Sequence, residues 1–220
     1  MACRRGKATA EGLQVGLRRK ALVPDDPKEL FDAGCELARL VTVADNDPAL
    51  DAVTRPKLAA ECTEAALGVL GQAIAKGFDD PVRLLMDPRL SPIAHDPRFP
   101  DLFQRWPAFD PSQIQIYRDR LTAQHEFDKK LKKSRHRCYS LVLEAGKTYQ
   151  IDLLSVEFDA YLRLLDDGGG ERAFDDDSGG DLNARLVFTP NQSGQHHIIV
   201  TTYRPGETGH FVLAIQEKKQ

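Results

Sequence analysis

The sequence predicts an α+β protein in which an N-terminal helical hairpin precedes an antiparallel β-sandwich or jelly roll of about eight strands. Apolar residues recur at intervals of three and four from Pro27 to Lys76, which is the period of an amphipathic helix. They alternate with polar residues between Ile114 and Gln216, which is the period of a strand. With 220 residues and 41% hydrophobic content, the chain is long enough for two modest domains.

The helical region divides into two helices at its turn-forming residues. Asn46-Asp47-Pro48 and Pro56 separate the helices, and Gly77 stands where a helix C-cap belongs. Small residues on the apolar faces permit close approach, so we expect an antiparallel hairpin. The apolar positions are Leu30, Phe31, Gly34, Cys35, Ala38 and Val41 in the first helix, and Leu58, Cys62, Ala65, Ala66, Val69, Leu70, Ala73 and Ile74 in the second.

The second half consists of short alternating runs between turns. The turns are predicted at Ala145–Gly146, Gly168–Gly170 and Pro205–Gly206. Strands at a spacing of about 8–12 residues, without helical periods between them, indicate a sandwich or jelly roll. The predicted inward positions are Tyr139, Leu141 and Leu143; Tyr149, Ile151 and Leu153; Phe158, Ala160, Leu162 and Leu164; Ala184, Leu186 and Phe188; His196, Ile198 and Val200; and Phe211, Leu213 and Ile215.

Four stretches between Arg120 and Glu217 resemble a known bacterial domain. They read LEAGKTYQIDL, FDAYLRLLD, DDDSGGDLNARLVFTP and TGHFVLAI, and they follow the order of the pre-peptidase C-terminal domain. That resemblance implies a β-sandwich of the kind found after secreted proteases and in multidomain bacterial proteins. One departure is Gly194-Gln195-His196, where such domains usually have Gly-Thr-Tyr.

The helical half resembles another family. LFDAGCELARL and GFDDPVRLLMDPRLSPIAHDPRFPDLF resemble the last tetratricopeptide-type repeat of large bacterial proteins, including serine/threonine kinases. Repeat arrays usually need three or more units, so the single hairpin either packs on its neighbour or is the tail of something longer. The predicted organisation is a basic, flexible tail (1–25), a tetratricopeptide-like helical region (26–106), a linker (107–111) and a pre-peptidase-like sandwich domain (112–220).

Charge is distributed unevenly, although the net charge is only −3. Basic residues are in excess up to Arg137, and acidic residues are in excess after it. Nucleic-acid binding would require stacking aromatics beside the basic clusters, and only Phe127 and Tyr139 flank the second cluster. We therefore expect a solvated tail, a solvated strand connection and no nucleic-acid partner. The clusters are Arg4, Arg5, Lys7, Arg18, Arg19 and Lys20, and Lys129, Lys130, Lys132, Lys133, Arg135 and Arg137.

The cellular compartment is predicted from what the sequence lacks. No segment approaches the run of about 18 apolar residues that spans a membrane, so no membrane partner is expected. The N-terminus has no apolar region of a signal peptide, so the cytoplasm is the default location, although the β-domain family is often exported. Cys35 and Cys62 are predicted to be buried free thiols, with a Cys35–Cys62 disulfide as the alternative.

Catalytic motifs are absent from the sequence, so we predict that the chain is not an enzyme. It has no Gly-x-Ser-x-Gly elbow, no His-Glu-x-x-His metal motif, no Gly-x-x-x-x-Gly-Lys-Ser/Thr phosphate loop and no kinase catalytic loop. His196 and His197 are adjacent in a predicted strand and therefore point to opposite faces, where they cannot easily share an ion. We expect one to be packed and the other exposed.

The acidic loop, residues 175–183, is the one candidate site, and Asp159 is expected near it in space. Calcium takes six to eight oxygen ligands, and the loop concentrates carboxylates and amides. The candidate calcium ligands are Asp159, Asp175, Asp176, Asp177, Asp181 and Asn183. The alternative is a solvated turn, because Asp and Asn also cap turns and keep strand ends soluble.

These observations predict a non-catalytic interaction or accessory module, with a protein or peptide as partner and calcium as the one candidate cofactor. One alternative is a carbohydrate- or matrix-binding module, for which Tyr161, Phe174 and Tyr203 are the few aromatic candidates. Another is a detached regulatory tail of a kinase or protease. The sequence leaves the oligomeric state open.

Overall fold

The structure, a computed structural model, describes residues 26–218. The predicted basic tail (1–25) and Cys3 lie outside the described residues. The chain forms two compact units that meet between Phe109 and Asp110, inside the predicted linker.

The helical unit begins with the predicted hairpin. Helices α1 (Pro27–Asp45) and α2 (Thr54–Ala75) pack against each other, and a short helix α3 (Pro81–Met86) and two 3₁₀ segments (Pro88–Leu90 and Phe99–Arg105) follow. A Cβ atom at Gly34 would lie 2.8 Å from the Leu70 side chain, so this glycine permits the close helix contact. Gly77 has a φ of 111° and follows α2 as the sequence predicts.

Pro56 is not between the helices, contrary to our expectation. It lies in the first turn of α2, where no backbone N–H is needed for the helix. Asp51 provides the start signal, because its carboxylate accepts the backbone N–H groups of Val53 (2.9 Å) and Thr54 (2.7 Å). The hairpin itself is confirmed, and its relation to tetratricopeptide repeats stays a prediction.

Asp-Pro steps organise the chain around and after the hairpin. In each step the aspartate carboxylate accepts a backbone N–H two or three residues ahead, while proline fixes the intervening φ. The steps are Asp26-Pro27, Asp47-Pro48, Asp80-Pro81, Asp87-Pro88, Asp96-Pro97 and Asp110-Pro111. Arg89 folds back onto Asp87 through Nε (2.9 Å) and reaches Asp32 of α1 through Nη2 (3.1 Å), so this step is tied to the hairpin.

The sheet unit is a jelly roll of eight strands, which confirms the predicted fold class. One sheet has the order β1-β8-β3-β6 and the other β2-β7-β4-β5, with antiparallel pairing throughout. The strands are β1 (Gln115–Leu121), β2 (Arg137–Leu143), β3 (Thr148–Leu154), β4 (Ala160–Asp166), β5 (Glu171–Asp175), β6 (Ala184–Phe188), β7 (Gly194–Thr202) and β8 (Gly209–Lys218). A 3₁₀ turn, Pro111–Gln113, precedes β1.

The predicted inward residues form the core between the two sheets. Leu153, Leu162 and Leu213 are 0% exposed, as expected for inward positions on strands whose side chains alternate between the two faces. His196 is buried, as expected for the packed member of the pair, whereas His197 is only partly exposed.

Cysteine states follow from burial. Cys35 and Cys62 are both fully buried and free, which confirms the predicted thiols and makes the alternative Cys35–Cys62 disulfide wrong. Cys138 is free and exposed on β2. Among residues 26–218, no helix combines the length and apolar character needed to cross a membrane.

Candidate functional site

Two of the predicted calcium ligands, Asp175 and Asn183, accept hydrogen bonds that hold the acidic loop in place. Asp175 ends β5, and its carboxylate accepts the backbone N–H groups of Ser178 (3.0 Å) and Arg185 (2.8 Å). Asn183 is buried, and its amide oxygen accepts the backbone N–H of Ser155 (2.9 Å). Both side chains therefore hold the loop against neighbouring segments.

Three other predicted ligands contribute to one electrostatic cluster. Asp159 is 5% exposed, with Oδ2 at 3.4 Å from Nε of Arg204. Burial raises the pKa of Asp159, Arg204 opposes that shift, and the nearby carboxylates of Asp177, Glu207 and Asp176 raise the pKa further. The loop therefore concentrates negative charge around a poorly hydrated carboxylate.

The remaining predicted ligand, Asp181, is exposed and has a φ of 54°, a backbone conformation that aspartate tolerates in turns. Within the described part of the chain, no group of three or more His, Cys, Asp or Glu side chains is arranged to hold a metal ion. The calcium site stays a prediction.

A second region lies on the outer face of the β2-β7-β4-β5 sheet, where the connection 122–136 is tied to the sheet. Arg163 on β4 is 8% exposed and donates through Nη1 to both carboxylate oxygens of Asp128, at 2.9 and 2.6 Å. Its Nε donates to Glu171 at 2.6 Å. Farther along the connection, Thr201 donates its hydroxyl to the Arg135 carbonyl at 2.7 Å. The connection is thus held on the sheet by a buried ion pair and by its backbone.

Three aromatic side chains form a row on this outer face. The Tyr161 ring lies between those of Phe174, at a centroid distance of 6.1 Å and an angle of 9°, and Tyr203, at 6.2 Å and 25°. Tyr161 is 7% exposed, whereas Phe174 and Tyr203 are 58% and 55% exposed. Burial raises the pKa of the Tyr161 hydroxyl. These are offset-stacked geometries, which stabilise the row beyond the burial of its area.

Cations lie over two exposed rings of this region. Lys130 Nζ is 4.6 Å from the ring centre of Phe174, and the Arg135 guanidinium carbon is 3.5 Å from that of Phe127, which is 51% exposed. We call these residues the aromatic–cationic surface: Phe127, Lys130, Arg135, Tyr161, Phe174 and Tyr203. The lysines of the connection are exposed, as the sequence predicts, while its backbone is anchored.

Beside this surface lies a cavity of about 490 Å³, which we call the sheet-face cavity. It is lined by Asp128, Lys129, His136, Cys138, Arg163, Leu165, Asp167, Gly168, Gly169, His197 and Ile199. At its edge His197 places Nδ1 at 2.8 Å from the Ser140 hydroxyl and Nε2 at 3.8 Å from the Asp167 carboxylate. Asp167 is 78% exposed and beyond hydrogen-bonding distance, so this arrangement lacks the third group that orients a catalytic histidine.

The three aromatic residues are evident from the sequence, whereas the sheet-face cavity and the anchored connection are not. One signal was present: Arg163 is the single charged residue in the run AYLRLL and occupies an outward position there. A charged residue within a strand that is buried on both faces requires a partner. That partner, Asp128, is distant in sequence, and alternation alone does not identify it.

No protein-family model and no curated protein matches the chain. Several solved structures are similar to it, including two from bacteria. The periplasmic inhibitor of g-type lysozyme from Aeromonas hydrophila is 17% identical, with a TM-score of 0.37, over 48% of this chain and 87% of that chain. The pre-peptidase C-terminal domain of a collagenase from Bacillus anthracis is 14% identical, with a TM-score of 0.36, over 46% of this chain and 88% of that chain.

Proposed function

We propose that the chain is a non-catalytic interaction module whose sheet unit binds an acidic protein or peptide through the aromatic–cationic surface. The observation that carries this proposal is the pairing of exposed rings with cations, Lys130 over Phe174 and Arg135 over Phe127. Exposed aromatic and arginine side chains are enriched at protein–protein interfaces. The tetratricopeptide-like hairpin then provides a second surface for peptides or neighbouring repeats.

The charge of the connection favours an acidic partner. Its lysines are exposed, and Lys130 is held at 2.6 Å from Glu171, which places the cation at the edge of the aromatic row. Complementary charge steers association and makes it sensitive to salt. The exposed lysines are Lys129, Lys130, Lys132 and Lys133.

A second candidate function is carbohydrate or matrix binding, and one observation favours it. Phe174 and Tyr203 flank Tyr161 in nearly parallel orientation and remain more than half exposed, so the row offers aromatic surface to a flat apolar ligand face. The two candidates differ in what they require: an acidic protein depends on Lys130, whereas a sugar depends chiefly on the rings.

Retention experiments with the full chain test both candidates. Immobilised wild type, Lys130→Glu, Tyr203→Ala and the control Val187→Ala are compared for binding of proteins from native lysate and of a panel of polysaccharides. Val187 is a suitable control because it is 57% exposed and belongs to the other sheet. We expect an acidic protein that binds wild type and Val187→Ala, is lost with both other variants and elutes with salt. Equal retention by all four proteins contradicts the proposal, and salt-insensitive retention of a polysaccharide supports the second candidate.

The proposal also requires that the chain has no turnover of its own. Ser140 and His197 are the pair to test, because they hydrogen-bond at the edge of the sheet-face cavity. We expect wild type and Ser140→Ala to give the same background rate with ester, peptide and phosphoester substrates. Turnover by wild type that Ser140→Ala abolishes would contradict a non-catalytic role.

A further inference from the structure

We propose that the sheet-face cavity binds a carboxylate group attached to a small apolar body, with Arg163 and Lys129 as the recognising cations. This site is separate from the protein-binding role proposed above and does not depend on it. Its volume of about 490 Å³ lies within the range of small-ligand pockets, roughly 300–1,000 Å³.

Arg163 is the central residue of the proposed site. Its side chain is more than nine-tenths buried, and it lines the cavity. Nε donates to Glu171 and Nη1 to Asp128, whereas Nη2 has no hydrogen-bond partner among the described residues. A guanidinium provides five N–H donors in a fixed plane. The two carboxylates therefore orient Arg163 and leave Nη2 as the remaining donor for a ligand oxygen.

Lys129, His136 and His197 complete the polar lining. Lys129 is exposed and makes no ion pair with the described residues, so its ammonium can approach an anion at the rim. His136 Nδ1 lies 3.2 Å from the Glu126 carbonyl, which leaves its other ring nitrogen for the cavity. Of the two lining aspartates, Asp128 is already paired with Arg163, and Asp167 is largely exposed.

The apolar lining specifies the rest of the ligand. Leu165 and Ile199 line the cavity together with Cys138, and Ile199 is only 6% exposed. A carboxylate attached to an aliphatic group satisfies both parts of this lining, because the aliphatic group of the ligand covers Leu165 and Ile199 while its carboxylate oxygens contact the cations.

A phosphate group fits this cavity less well than a carboxylate does. The neighbouring glycine turn does not offer its amides as an anion cradle, because the N–H groups of Gly169 and Gly170 are directed to Asp166, at 2.9 and 2.7 Å. Two lining carboxylates, Asp128 and Asp167, would also repel a dianion more strongly than a monoanion.

Titration followed by backbone amide NMR tests the assignment. The probes are N-acetyl-L-leucine, its neutral amide, inorganic phosphate, and a short peptide ending in leucine with a free or an amidated C-terminus. We expect saturable shifts confined to residues 128–138, 163–169 and 197–199 with the free acid and the free peptide. The relative affinities of the acid and the peptide then identify a small metabolite-like acid or a peptide C-terminus as the source of the carboxylate. Equal shifts with the neutral probes, or tighter binding of phosphate, would overturn the proposal.

Variants assign the shifts to the named cations. Lys129→Gln is expected to weaken binding of N-acetyl-L-leucine about two- to fivefold, the size of a partly exposed ion pair, whereas Lys132→Gln on the same connection leaves it unchanged. Arg163→Lys should weaken it about tenfold or more, because it removes the Nη2 donor. The dispersion of the amide spectrum shows whether Arg163→Lys is folded. Undiminished affinity in folded Arg163→Lys or in Lys129→Gln would contradict the proposed site.

Discussion

Arg163 and Leu164 are neighbours on β4 and are both buried, but by opposite means. Arg163 points to the outer face, where two carboxylates accept its hydrogen bonds. Leu164 points to the core, where it is 0% exposed among apolar side chains. Each environment excludes the other residue type, because a charge in the core would have no partner and a leucine would leave Asp128 unpaired.

Leu164→Asp is expected to unfold the sheet unit. The substitution places a carboxylate in an apolar core without a partner, at a cost of several kcal/mol. Val142→Asp is the matched control, because Val142 is 70% exposed on a strand of the same sheet and should change stability by about 0.5 kcal/mol or less. Urea denaturation of both variants measures the difference, and a folded Leu164→Asp with a well-dispersed NMR spectrum would refute this account of the core.

Asp159 should make the protein less stable as pH rises. Its pKa is raised mainly by burial, so the folded state holds the proton more tightly than the unfolded state. The penalty begins near the ordinary pKa of about 3.9 and is fully present above the raised value. Asp159→Asn should therefore be more stable than wild type at neutral pH, with a difference that shrinks in acid.

Asp166→Asn is the control of opposite sign. The Gly170 backbone N–H holds the pKa of Asp166 below its usual value, so ionised Asp166 stabilises the fold above its ordinary pKa and loses that effect in acid. Denaturation of wild type and both variants from pH 3 to 8 separates the two behaviours. A stability difference for Asp159→Asn that is independent of pH would exclude burial of its charge as the cause.

At the scale of elements, the connection 122–136 depends on Asp128. This carboxylate accepts the backbone N–H groups of Lys130 (2.9 Å) and Leu131 (2.6 Å) and also pairs with Arg163. Asp128→Ala should cost about 3–5 kcal/mol, because it leaves a buried guanidinium with one acceptor fewer. Trypsin should then cleave the lysines of the connection faster. Glu126→Ala, an exposed change on the same connection, should not accelerate cleavage, and equal cleavage of both variants would refute the anchoring role.

The calcium hypothesis predicts a change in the stability of the acidic loop. An ion bound only by the folded state adds about 2.7 kcal/mol at a hundredfold excess over its Kd. Asp176→Asn/Asp177→Asn is the appropriate variant, because Asp175 is required for the turn. The hypothesis predicts a melting temperature that rises from EDTA to millimolar calcium in wild type and in Asp167→Asn, but not in the double variant. An unchanged wild-type midpoint rejects the site.

Strands and helices could be predicted from the sequence to the extent that local periodicity determines them. Leu162, Leu186 and Leu213 each belong to a run in which every second residue is apolar, and turn-forming residues separate their strands, so both signals agree. The connection 122–136 carries no such period, and its place on the sheet depends on the long-range pair Asp128–Arg163. Polar contacts between residues distant in sequence have no local signature.

At the scale of the whole molecule, the sheet unit should fold without the helical unit. Its two sheets enclose a core of their own, which includes Leu121 of β1 and Leu213 of β8. A protein of residues 112–220 is expected to give a dispersed NMR spectrum and a cooperative unfolding transition. A molten spectrum from this segment would show that the fold requires additional chain.

The candidate surface could be predicted only as a set of residue types. Tyr161, Phe174 and Tyr203 are the aromatic candidates that the sequence offers for ligand binding, but they lie on or next to three different strands, β4, β5 and β7. Their meeting in one row depends on the jelly-roll strand order, which places β4 between β5 and β7. Lys130 contacts Phe174 from the connection 122–136, which the sequence predicts to be solvated.

The pairing of β1 with β8 determines how the sheet unit responds to mechanical load. Gln115 at the start of β1 lies opposite Ile215 near the end of β8, so the chain enters and leaves at the same end of one ladder. Antiparallel hydrogen bonds run perpendicular to the strands. Tension between the two chain ends therefore acts parallel to the hydrogen bonds and pulls the two strands apart. The bonds would therefore break one pair at a time, as in a zipper, and not together in shear. A module attached at both ends would open under small forces from the edge that β1 forms.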